Sequence, residues 1–170
     1  LCRLACGARG TWEQELVGIE GQTTPEETAR VSDARRVIFE GLQLAVADGD
    51  PLASAGVLVD EEFGAEVART AKRDFTLAMP VEKSGQAEFD FEYGTAFGAH
   101  IEAFDADYAK VLVRYNPDGD PVMNTRQLAR LAQLSLWLRD RGRLLLFELL
   151  VQPESAQLRK VGGDFDRYDL

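Results

Sequence analysis

The feature that most constrains this chain is a repeated switch between two hydrophobic periods. Short, nearly continuous apolar runs alternate with longer stretches in which apolar residues recur every three or four positions. The runs are AGVLVD (55–60), FTLAMPVEK (75–83), AKVLVRYN (109–116) and RLLLFELLVQP (143–153), the last stopped by Pro153. Between them, residues 24–48 carry Val31, Ala34, Ile38, Leu42, Ala45 and Val46 on one helical stripe, and 62–74, 94–104 and 124–142 repeat the pattern. Thr24, Pro25 and two glutamates make a helix start: a capping hydroxyl, a proline in the first turn, and acids on the positive end of the dipole. Asn124 is expected to cap the last long helix and Gly142 to end it. Strands that are apolar throughout must be covered on both faces, and regular strand–helix alternation makes their sheet parallel. With the N-terminal run counted as a strand, the chain holds about five βα units, then ESAQLRKVG and a polar tail.

At 170 residues the chain suffices for one domain with a core, so residues 1–170 are expected to form a single unit. A formal net charge of −10 argues against nucleic acid and against an anionic membrane surface as partners, since both would repel it. No run approaches the roughly 18 apolar residues of a membrane span. The N-terminus carries Arg3 where a signal peptide needs an apolar core, and a cytoplasmic location is expected. Cys2 and Cys6 are read as two reduced cysteines, a CxxxC pair being a weak metal signal. His100 is the only histidine and lies in a helical stretch, which argues against a multi-histidine zinc site and against a Ser-His or Cys-His pair. No metal or cofactor is expected, and His100 is read as a helix-face residue.

Charge gathers where the apolar runs end: Asp60, then Glu82 and Lys83, then Arg114, with Lys110 and Glu148 inside their strands. Functional groups at the carboxyl ends of parallel strands suit both a TIM barrel and a doubly wound sheet. The absence of a G-x-G-x-x-G turn after any strand favours the barrel. Alternate strand residues share a face, so Lys110, Leu112 and Arg114 point together, and Glu148 shares its face with Leu144, Leu146 and Leu150. A charge in a barrel interior must be paired, lose its proton or face a polar cavity. A structural pair, Lys110 with Glu148, would satisfy this. Two lysines, an arginine and several carboxylates converging on one face also suit lysine–carbonyl chemistry, in which carboxylates move protons and no metal is needed.

The motifs LVDEEFG (58–64), AMPVEKSGQ (78–86), GAHIEAFD…AKVLVRYNPDGD (98–120) and LLFELLVQP (145–153) together resemble one family. It is the aldolase-type domain fused behind 5-dehydro-2-deoxygluconokinase in bacterial myo-inositol catabolism, similar to tagatose-1,6-bisphosphate aldolase. The resemblance implies a (β/α)8 TIM barrel of which this chain spans about the first five βα units. It also implies a class I, Schiff-base, metal-independent aldolase. The implied reaction cleaves a phosphorylated keto-sugar, 2-deoxy-5-keto-gluconate 6-phosphate, to dihydroxyacetone phosphate and malonate semialdehyde. Carried over by position, Lys110 and Glu148 are the catalytic candidates. Lys83, Arg114, Asp60, Glu82 and Arg9 are the substrate-binding ones.

Two departures shape the expectations. Relatives end the first strand in a sequence like FDHRG, whereas CGARG (6–10) places Gly7 and Ala8 at the aspartate and histidine and keeps only Arg9 and Gly10. The Schiff-base lysine of such aldolases lies on a sixth strand, in a motif like WKxEG that does not occur here. The chain therefore reads as a truncated barrel lacking strands six to eight and inactive alone. The alternative is a non-catalytic half-barrel that binds a sugar phosphate or a protein partner. An open barrel edge is expected to promote self-association.

Overall fold

A computed structural model describes residues 2–5 as backbone, and residues 24–49 and 55–164 with side chains. Five strands, β1 (Cys2–Ala5), β2 (Ala55–Leu58), β3 (Thr76–Pro80), β4 (Tyr108–Arg114) and β5 (Leu144–Leu150), form one sheet in the order β1-β2-β3-β4-β5. Every pairing is parallel. The helices are α1 (Pro25–Ala47), α2 (Glu61–Ala71), α3 (Phe97–Ala103), α4 (Pro121–Asp140) and α5 (Ser155–Lys160). The alternation read from the sequence is thus an α/β fold, and the 154–162 segment contributes α5.

The ends of the helices follow from local chemistry. Thr24 and Glu27 form a reciprocal capping box at α1, with Pro25 in the first turn. The expected cap of α4 is corrected: Asp120, not Asn124, accepts from the Val122 and Met123 amides, so α4 starts earlier at Pro121. Asn124 instead sits inside the first turns, buried, and donates to the Asn116 carbonyl at 2.7 Å. Gly142 takes φ 63° just after α4, the left-handed turn that ends the helix.

Register decides which residues share a sheet face. Pro80 lies beside Lys110, and Lys110 beside Leu146. One face carries Val57, Leu77, Met79, Val111 and Val113, all buried against Phe39 of α1, Val67 and Ala68 of α2, Ile101 of α3, and Leu134 and Leu138 of α4. The opposite face carries Leu58, Pro80, Lys110, Leu112 and Leu146. All of these except Lys110 are only half-buried. A doubly wound sheet would place helices on both faces; here strand order is sequential and α1 to α4 all pack on one. Of the strands described with side chains, β5 is the least covered: Leu144 and Leu149 are about half exposed, and Phe147 nearly so. Its far edge pairs with no other strand among the described residues.

Candidate functional site

Among the described residues, Lys110 is the one charged side chain buried in the middle of the half-covered face, at 8% exposure. Strand geometry brings its partners. Glu148 stands two residues beyond Leu146 on β5, and Glu82 two beyond Pro80, just past the end of β3. The Lys110 Nζ lies 2.8 Å from Glu82 Oε1 and 3.0 Å from Glu148 Oε2. The Lys110–Glu148 pair anticipated from the sequence is therefore present, with a second carboxylate beside it. The Glu82 side chain is 15% exposed and that of Glu148 is 51% exposed. The cluster is thus closed on one side and open to solvent on the other. Burying an ammonium is costly unless hydrogen-bonded counter-charges accompany it, and two carboxylates meet that condition.

The loop after β3 folds over the carboxyl end of β4. Its neck is closed by a Glu82–Phe91 bridge and by Lys83 N–H donating to the Asp90 carbonyl at 2.8 Å. Arg114 is half-buried and its Nη1 donates to the Gln86 carbonyl at 3.0 Å, so it meets the loop backbone and not a carboxylate. Lys83 is exposed, and neither it nor Arg114 forms a salt bridge among the described residues. Lys83 follows Glu82 in the chain, and Arg114 lies four residues beyond Lys110 on the same face of β4.

Asp60 departs from its expected place. Its Oδ1 caps α2 by accepting from the Phe63 amide at 2.9 Å, and its Oδ2 pairs with Arg35. Asp60 is 2% exposed and Arg35 fully buried, with the Arg35 guanidinium 5.2 Å from the Phe63 ring centre. This carboxylate locks α1 to the β2–α2 corner and does not join the Lys110 cluster. Arg9 and Cys6 lie outside the described residues. His100 does sit on a helix, α3, where its Nδ1 is 2.6 Å from Glu61 Oε2 and its ring stacks on Tyr93 at 3.5 Å.

Sequence reasoning missed the groups that hold the loops. Gln127, fully buried on α4, accepts from Phe89 N–H at 2.8 Å and donates to the Arg114 carbonyl at 3.0 Å. Glu88 is gripped by Arg126 through two bonds of 2.8 and 2.6 Å, and also by Arg130. Hydrogen bonds from those two guanidinium groups lower the Glu88 carboxyl to about 2. Asn116 donates to the Gln152 carbonyl at 2.8 Å and to Gln157 Oε1 at 2.6 Å, tying the loop after β4 to α5. The only advance signal was Gln127 within an amphipathic stripe, where a buried amide demands partners. Among the described residues no group of three or more His, Cys, Asp or Glu side chains could hold a metal ion, and no helix is long and apolar enough to cross a membrane.

Residues 4–162 match the model of a family described as an uncharacterized protein conserved in bacteria (DUF2090). No curated protein matches the sequence.

Proposed function

The chain belongs to this bacterial family, and we propose that its Lys110 cluster is part of a metal-independent class I aldolase site for a phosphorylated keto-sugar. No counterpart of the Schiff-base lysine motif occurs in these residues, so this chain alone is expected to bind without turnover. The observation that carries the reading is the arrangement of Lys110 between Glu82 and Glu148 on the sheet face opposite α1 to α4. Sequential strand order with helices on one face supports assignment of the sheet to a TIM-barrel-type fold.

In this geometry the Lys110 amine donates to Glu82 and is ion-paired with Glu148, so it is held between two counter-charges. It therefore acts as an electrostatic neighbour of the reacting carbonyl, not as the Schiff-base nucleophile. Glu148, half exposed beside it, is placed to move a proton to or from a ligand on the open face. Lys83 and Arg114 take the phosphate, Arg114 by exchanging its bond to the Gln86 carbonyl for a charge-assisted one.

A second reading rests on the exposure of β5: the half-covered sheet binds a sugar phosphate or a protein partner without turnover. Calorimetry with dihydroxyacetone phosphate, and product analysis with 2-deoxy-5-keto-gluconate 6-phosphate, separate the two. Binding that is lost in Lys83→Ala/Arg114→Ala supports the site. Binding that also needs Lys110, and is lost in Lys110→Met, supports the aldolase site. Binding indifferent to Lys110→Met supports the second reading, and product formed by this chain would overturn the expectation that it is inactive alone. Heat-silent mixing with both compounds, and no rise in melting temperature, would refute the aldolase reading and the sugar-phosphate form of the second. Borohydride trapping is expected to leave Lys110 unmodified.

A further inference from the structure

β3 ends at Pro80, so Glu82 reaches Lys110 from a loop rather than from a strand. The neck of that loop is a narrow hairpin, held by the Glu82–Phe91 bridge and by two backbone bonds, Lys83 to Asp90 and Glu92 to Val81. An isolated two-stranded hairpin is marginal in water. Phe91 stacks on Phe97 of α3 at 4.2 Å, and the hairpin's polar side-chain contacts with the body beyond the Lys110 pair include two further elements. Arg114 of β4 holds the Gln86 carbonyl, and three consecutive-turn residues of α4 hold the far side.

Those α4 contacts form a matched set. Arg126 grips Glu88 as a fork, Arg130 reaches both Glu88 and the Phe89 carbonyl, and Gln127 takes the Phe89 amide. Both polar groups of Phe89 are therefore satisfied by α4 side chains, while the Phe89 ring is buried in the main core. The other end of the Gln127 amide is bonded to the Arg114 carbonyl, at the end of the strand that carries Lys110. One fully buried side chain thus bridges the hairpin and the Lys110 strand.

We propose that Arg126, Gln127 and Arg130 are positioning residues of the Lys110 site: they touch neither Lys110 nor its carboxylates, but clamp the 82–91 hairpin so that Glu82 stays against Lys110 and Lys83 stays at the rim. The inference rests on reading the Lys110 cluster as the functional centre. The groups facing Glu88 are Arg126 and Arg130 from α4, with Asp90 beside Arg130 on the hairpin itself. A fork of charge-assisted bonds is sensitive to geometry as well as charge, so lysine at these positions keeps the charge and loses the grip.

The test compares the wild type with Arg126→Lys/Arg130→Lys. Arg139→Lys serves as a control on the same helix, where among the described residues Arg139 pairs with its neighbour Asp140. Three quantities are read: amide hydrogen exchange across residues 82–92, acylation of Lys110 by an amine-reactive reagent followed by peptide mass spectrometry, and affinity for dihydroxyacetone phosphate. The double variant is expected to exchange about tenfold faster in the hairpin and to label Lys110 faster, with β4 and β5 amides unchanged. Labelling of Lys72, which is paired with Asp107 on the far side of the fold, should also stay unchanged. Affinity for the probe falls, and Arg139→Lys behaves as wild type. Unchanged hairpin exchange and unchanged Lys110 labelling would overturn the proposal, as would faster exchange throughout the sheet, which marks α4 as a structural support only. If the wild type does not bind the probe while the hairpin and Lys110 effects appear, the positioning role stands and the sugar-phosphate reading falls.

Discussion

Replacing Asp60 separates a structural role from a binding one. Its two carboxylate oxygens are used internally, one on the Phe63 amide and one on Arg35, in a region with almost no solvent exposure. Removing one partner of a buried ion pair costs about 3–5 kcal/mol, because the other charge keeps its desolvation penalty. Losing an N-cap side chain adds about 1 kcal/mol. Asp60→Ala should therefore destabilise the chain by about 4–6 kcal/mol, a large part of the stability of about 5–15 kcal/mol typical of a domain. For a chain of this size, that corresponds to a melting temperature lower by about 10–20 °C. Asp60→Asn keeps an oxygen that can cap α2 and loses only the charge, so it should recover about 1 kcal/mol. Arg35→Met/Asp60→Asn should be less damaging than the sum of its single changes, because the pair is removed together. Calorimetric melting of the four variants checks the ordering. A shift below about 3 °C for Asp60→Ala, combined with lost affinity for dihydroxyacetone phosphate, would refute the reasoning and return Asp60 to the ligand site.

Within the Lys110 cluster, Glu148→Gln should cost under about 1 kcal/mol because that carboxylate is half exposed, whereas Glu82→Gln should cost about 1–3 kcal/mol; urea unfolding measures both. Gly98 lies so close to Trp137 that an added Cβ would stand 2.6 Å from the indole Nε1, and Gly98→Ala should destabilise by about 1–3 kcal/mol with a change in tryptophan emission. The Glu88 carboxyl is lowered from 4.5 to about 2 by its two arginines, so its contribution to stability is complete above pH 4.5 and is lost as pH falls toward 2. The melting temperature should drop across that window, and Glu88→Gln should flatten the drop.

The βα rhythm, the parallel sheet and the four principal strands were legible in the sequence, because burial on two faces writes itself as continuous apolar runs and burial on one face as a helical stripe. The Lys110–Glu148 pair was legible for the same reason: a charge within such a run has to be answered from a neighbouring strand. Sequence-level reasoning erred where a residue's role depends on what lies across space. Asp60 and Glu82 both follow apolar runs, and nothing local tells the helix cap from the site carboxylate. Only the approach of Arg35 from α1 claims Asp60, and only strand register places Glu82 on Lys110. Asn124 looks like a cap until Asp120 takes that place and the Asn116 carbonyl occupies its amide. Sequence alone determined which segments pair and which faces turn inward, since periodicity is a local property of the chain. Tertiary structure decided which charges meet, because an ion pair is set by register and packing between segments far apart in sequence.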